Sequence, residues 1–179
     1  QSIRGAKVDE ALRGALGSLQ GNLKAGVIVT IGSRADRSAV PLLAPLANDK
    51  DPAIAEAALT SLGQSGTAEA AAAIEKARGK ASLARTRCHA LLLCAERLAA
   101  DNRMADAAQS YQAVYRATKD PVIQIAALRG VVSTRQPLAA PWLRAALRNE
   151  NEKVRLAAAK AAVQFGAPDV VKTVLAEWP

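Results

Sequence analysis

The stretch DPAIAEAALTSLGQ, Asp51–Gln64, decides the reading of this chain, because it recurs. Asp120–Ser133 reads DPVIQIAALRGVVS, Asn151–Gln164 reads NEKVRLAAAKAAVQ, and a weaker copy, QGNLKAGVIVTIGS, covers Gln20–Ser33. Aligned on their apolar residues, Leu23, Ile54, Ile123 and Val154 fall in one column. Ile28, Leu59, Leu128 and Ala159 form a second column, and Ile31, Leu62, Val131 and Ala162 a third. The first two copies lie 31 residues apart, as do the last two, and 69 residues separate the middle pair. That longer gap holds one further unit, slightly longer than the rest. A fixed period of this size is the mark of a solenoid, in which each unit stacks only on its neighbours.

Within one copy, Ile54, Ala58, Leu59 and Leu62 share one side of an α-helix. Asp51-Pro52 and Asp120-Pro121 are helix starts: the carboxylate caps free N–H groups, and proline is tolerated at the first helical position. Asn151 is the equivalent cap without proline. Gly32 and Gly63 read as flexible exits near the helix ends. Each copy is followed by a second amphipathic segment: Ser38–Ala47, Thr67–Ala77, Leu138–Arg148 and Asp169–Trp178. One unit is therefore helix, turn, helix. Alanine, abundant in runs such as Ala70–Ala73, favours helix and lets helices approach closely.

The period, the Asp-Pro start, the Ala-Ala-Leu centre and the closing Leu-Gly resemble HEAT repeats, of the short bacterial type also seen in phycobilisome-lyase-like proteins. The resemblance covers about 20–79 and 120–179. It implies an all-α, right-handed α-solenoid of about five helical hairpins. The units are 20–50, 51–82, 83–119, 120–150 and 151–179, after a partial or capping repeat at 1–19. The middle unit has two longer helices, Leu83–Ala100 and Met104–Thr118, joined by a turn at Asp101–Arg103. Ala107, Tyr111 and Tyr115 line one face of the second, which resembles a tetratricopeptide unit. In longer HEAT units an Asp and a basic residue often form a ladder; here Asp51 and Asp120 recur, without a basic partner in one column. Ile3–Leu19 reads as a first helix with Val8, Leu12 and Leu16 or Leu19 on one side. Pro41 suits a first helical turn, Pro45 bends its helix, and Pro137 and Pro141 start the next second helix.

An apolar fraction of 50% and a charged fraction of 22% describe an ordinary folded chain. The 3% aromatic content argues against base-stacking platforms. The net charge of +8 allows an anionic partner. No apolar run approaches the ~18 residues of a membrane span, and the start lacks the apolar core of a signal peptide. The start lacks methionine and the end, VLAEWP, has no polar cap, which reads as a segment of a longer, multidomain protein. Cys88 and Cys94 lie six apart on one helix and read as buried free thiols, which favours a reducing compartment such as the cytoplasm.

Catalytic chemistry has little to work with. His89 is the single histidine and does not face its neighbour Cys88 on a helix. Gly14, Gly17 and Gly21 lack the strand and the Gly-Lys-Ser/Thr ending of a phosphate loop. Asp49 with Asp51, and Glu150 with Glu152, read as helix-start carboxylates. No catalytic residue, cofactor or metal site is expected. In the solenoid resemblance the second helices line the concave surface, and the interaction candidates there are Arg116, Trp142, Arg144, Arg148 and Lys172. Trp142 reads either as filling the core or as an exposed anchor. The function expected is a non-catalytic scaffold that binds a protein partner or another domain of the same polypeptide. The alternatives are nucleic-acid binding through the basic C-terminal half, and an accessory role to a larger enzyme or lyase-like protein.

Overall fold

The hairpin starts are built from local hydrogen bonds. In the computed structural model, which describes residues 3–78, 80–134, 139–165 and 172, three junctions repeat one relay. The Asp51 carboxylate accepts from the Ala53 N–H at 2.9 Å, while the Asp51 N–H donates to Asp49 Oδ1 at 2.9 Å. Asp120 accepts from Val122 and donates its N–H to the Thr118 hydroxyl. Asn151 accepts from Lys153 and donates its N–H to Asn149 Oδ1. Each relay satisfies helix N–H groups that have no partner within the helix. Asp49 and Asp51 are thereby committed to backbone.

Among the described residues the chain forms ten α-helices and two short 3-10 turns. These are α1 Ile3–Ala15, α2 Gly21–Ser33, α3 Val40–Leu46, α4 Pro52–Ser65, α5 Ala68–Lys76, α6 Ala84–Ala100, α7 Met104–Ala117, α8 Pro121–Ser133, α9 Ala139–Leu147 and α10 Glu152–Phe165. The 3-10 turns, Arg37–Ala39 and Ala81–Leu83, lead into α3 and α6. Pro41 lies in the first turn of α3, Pro45 lies inside it, and Pro141 is the third residue of α9. The segment Asp169–Trp178 and the start at Pro137 lie outside the described residues, Lys172 apart.

The chain divides into two compact units, residues 1–98 and 99–179. In the first, α2 packs along α4, and α3 packs on α4 and α5. Ile28, Ile31, Leu43, Leu59, Leu62 and Ile74 are fully buried there. In the second, α7 packs on α8, and α10 packs on both α8 and α9. Its core joins Leu128, Leu143, Leu147 and Val154 with Ala146, Ala158, Ala161 and Ala162. Neighbouring helices pack consecutively in each unit, and the fold is an all-α α-solenoid of stacked helix pairs.

The repeat columns hold with two exceptions, Leu23 in the first and, in the second, Ala159, which is half-buried beside the buried Ala158. The third column is buried in all four copies, and Ile54, Ile123 and Val154 are buried in the first. Leu23 is 73% exposed, because nothing among the described residues covers the first turn of α2. Likewise Val8 is 47% exposed, and α1 stops at Ala15, short of Leu19. Ion pairs hold α1 instead. Arg34 binds Asp9, and Arg13 binds Asp36; both carboxylates are buried. The hydrogen bond to Asp9 holds the Arg34 guanidinium above its ordinary pKa.

Gly32 and Gly63 are not helix exits. Both are buried inside their helices, at points where the next helix comes closest. A Cβ on Gly32 would meet the Ser61 and Gln64 side chains, and one on Gly63 would lie 2.5 Å from the Ala90 carbonyl oxygen. Beside Gly32, the Ser61 hydroxyl donates to the Ile28 carbonyl at 2.8 Å. The exit from α4 is Gly66, whose φ of 61° is the left-handed conformation that favours glycine.

Gly63→Ala forces a methyl group against the Ala90 backbone and is expected to cost about 1–3 kcal/mol of stability. Gly26→Ala, which meets open space within α2, is expected to add about 0.5–1 kcal/mol. Urea denaturation of both variants checks the opposite signs. Cys88 and Cys94 are buried free thiols. Burial pushes the Cys94 thiol up to about 11, against backbone hydrogen bonds that lower it. Below pH ~9 both states hold the proton. Between pH ~9 and ~11 the unfolded chain releases a proton that the folded chain keeps, so stability falls with rising pH across that window. The urea midpoint is expected to fall there more steeply in the parent protein than in Cys94→Ala.

Candidate functional site

The second-helix face of residues 99–179 is built from the end of α7 outward. The last carbonyls of α7 have no helical partner, and Gln124 of α8 supplies one. Its Nε2 donates to the Thr118 carbonyl at 2.9 Å and to the Tyr115 carbonyl at 3.3 Å. Asn149, just beyond α9, then ties three elements together. Its Nδ2 donates to the Tyr115 hydroxyl at 2.9 Å, and its Oδ1 accepts from Asn151. Arg155 Nη1 donates to the carbonyls of Asn149 and Glu150, holding the turn from the α10 side.

This network fixes the Tyr115 ring, which in turn places Trp142. The two rings meet edge to face, with centroids 5.7 Å apart and planes at 80°. Arg116, the next residue of α7, lays its guanidinium over the other ring, 4.5 Å from the Trp142 centroid. Trp142 is half-buried, and its ring underlies the exposed Arg116 guanidinium. An aromatic ring attracts a cation over its face through its quadrupole, and the guanidinium so held keeps its N–H edges for an outside acceptor.

Two of the candidates, Arg116 and Trp142, are brought together. Arg144 is exposed on α9, and Arg148, four residues on, is exposed in the turn that follows it. At about 100° per residue, Trp142 and Arg144 lie about 200° apart around the helix. Arg144 therefore occupies the opposite flank of α9, with Pro141 and Ala145 between. Lys172 is exposed and joins neither group among the described contacts. Lys119 and Glu150, both exposed, form a surface pair at 3.5 Å, which contributes little. Tyr115 and Asn149 were not singled out from sequence. The spacing of Tyr115 from Tyr111 marked a helix face, but its link to Asn149 crosses 34 residues and leaves no local signal.

Charge does not single out the C-terminal half. Residues 1–98 carry 13 basic and 9 acidic side chains, and residues 99–179 carry 11 and 7, so the excess is equal. Among the described residues, no helix is long and apolar enough to cross a membrane, and no group of three or more His, Cys, Asp or Glu side chains is placed to hold a metal ion.

The Arg116–Trp142 contact is expected to register as a coupling of about 0.5–1 kcal/mol. A double-mutant cycle of Arg116→Ala and Trp142→Leu, read by urea denaturation, measures it. Additive single effects would show that the stack does not form in solution.

No match to the chain is found among curated proteins. The family model described as HEAT repeats matches residues 9–92 and 112–177. The interval it passes over holds the end of α6, at 17 residues the longest described helix, and the first half of α7, which at 14 residues is no longer than α4 or α10. With most of its length matched, and with the hairpins stacked as described, the chain belongs to the HEAT-repeat family.

Proposed function

We propose that this protein is a non-catalytic interaction module that docks a protein partner, or another domain of the same polypeptide, on the second-helix face of residues 99–179. HEAT repeats are commonly protein-interaction scaffolds, which supports the class of function. The observation that carries the choice of surface is the Arg116–Trp142 stack. Arginine and tryptophan are enriched where a few residues carry most of the binding energy. Here they are pre-ordered by Tyr115 and Asn149, so less side-chain freedom is lost on binding. Arg144, on the far flank of α9, and Arg148, just beyond its end, would contribute at the rim, where charges steer association.

The finer reading is a HEAT protein of the short bacterial type, with a middle unit of tetratricopeptide character, possessing no activity of its own and serving beside an enzymatic or lyase-like domain. The 31-residue spacing and the long α6 support it. A second reading, nucleic-acid binding, is favoured by the exposed pair Arg144 and Arg148. The equal charge excess of the two halves and the low aromatic content weigh against it.

The test is capture from cells that make the protein, at low and high salt, with the parent chain, Arg116→Glu, and the double variant Arg144→Glu/Arg148→Glu as baits. The proposal expects a protein retained at high salt by the parent and lost with Arg116→Glu. Recovery of nucleic acid alone, released by salt and abolished by the double variant, would overturn it in favour of the second reading.

A further inference from the structure

A second polar surface lies in residues 1–98, on the first helices. α4 is buried around most of its circumference and exposes a stripe through Ala53, Glu56 and Thr60. Along that stripe an open groove of about 470 Å³ runs between α4 and α6. Glu56 and Thr60 form one wall, and Arg85, Thr86 and His89 the other. Buried Ala90 and half-buried Leu93 add an apolar lining. None of these five polar side chains makes a hydrogen bond or ion pair among the described residues. This sets them apart from Asp9, Asp36, Asp49 and Asp51 of the same unit, which are all engaged.

We propose that this groove docks a short peptide segment bearing a carboxylate for Arg85 and His89, a cationic side chain for Glu56, and an apolar side chain against Leu93. Three observations converge on that occupant. The walls carry opposite signs, so a ligand of mixed charge meets both, whereas a polyanion lying on Arg85 would face the Glu56 carboxylate. Arg85, His89 and Leu93 recur every four residues along α6. They span about 12 Å at 1.5 Å per residue, the reach of about four residues of extended chain. The groove is also preformed, because Gly63 against the Ala90 backbone sets the approach of α4 to α6. This site is separate from the Arg116–Trp142 face and does not depend on it.

His89 is the single histidine of the chain, so its ring protons give isolated NMR signals. The probe is an acetylated, amidated hexapeptide that repeats glutamate, leucine and lysine twice. Its control replaces glutamate and lysine with glutamine. The expected result is a saturable shift of the His89 signals with the charged peptide and none with the control. Arg85→Gln and Glu56→Gln are each expected to weaken binding at least about fivefold, and Arg116→Glu to leave it unchanged. These side chains are exposed or half-buried, and circular dichroism verifies that the variants fold. No shift at millimolar peptide, or equal shifts with the control, would overturn the proposal. So would a short DNA duplex that shifts His89 and binds more tightly to Glu56→Gln.

Discussion

The fold depends on the closeness with which one first helix can lie against the next. α4 has apolar or small residues on nearly every side, and a single partner helix could cover only some of them. It is stable as a helix because α2 and α3 cover part of its surface, and glycine lets its neighbours reach contact distance. A solenoid unit cannot bury its apolar surface alone, and this one shows why at the level of single atoms. A methyl group at Gly63 would already occupy the space of the Ala90 backbone. The residue types in the columns follow from this spacing. Large aliphatics fill the wider second and third columns of the first unit, and alanines fill the tighter contact of α10 with α8 and α9.

Local hydrogen bonding explains how such a stack begins each turn in register. The relays at Asp49–Asp51, Thr118–Asp120 and Asn149–Asn151 use residues two apart, so each helix start is specified within a few residues. Long-range packing then selects which face is covered. The division matters for the functional surfaces. They stand on helices whose beginnings are fixed locally and whose orientations are fixed by neighbours, leaving their exposed side chains little structural duty.

That same division sets what was legible in the sequence. Periodicity reports positions that repeat, and the third column, most of the second, the Asp-Pro starts and the long α6 could all be read from it, whereas α7 is no longer than α4 or α10. Leu23 misled because its column is defined by later copies, which have cover that the first turn of α2 lacks. Gly32 and Gly63 misled because a glycine near a helix end has two physical uses, and only the neighbouring helix distinguishes them. The Arg34–Asp9 and Arg13–Asp36 pairs span 25 and 23 residues without recurring, so no pattern marked them. For the candidate site, Arg116 and Trp142 were legible as individual residues, but their stacking was not. The opposite flank taken by Arg144 follows from helix geometry once α9 is located. The groove beside His89 was not legible, since its walls come from helices whose spacing only the packing reveals.

The attachment of α1 differs in kind from the rest. Most helices here are held by surface withdrawn from water, whereas α1 leaves Val8 largely in solvent and is tied down by two crossed ion pairs. Apolar contacts strengthen in concentrated salting-out electrolytes, while charge pairs with solvent-reached arginines weaken. Adding a salting-out electrolyte therefore acts on the two kinds of attachment in opposite directions. It tightens the apolar packing of the first unit while loosening the hold on α1, so the two kinds of attachment respond to the ionic medium independently.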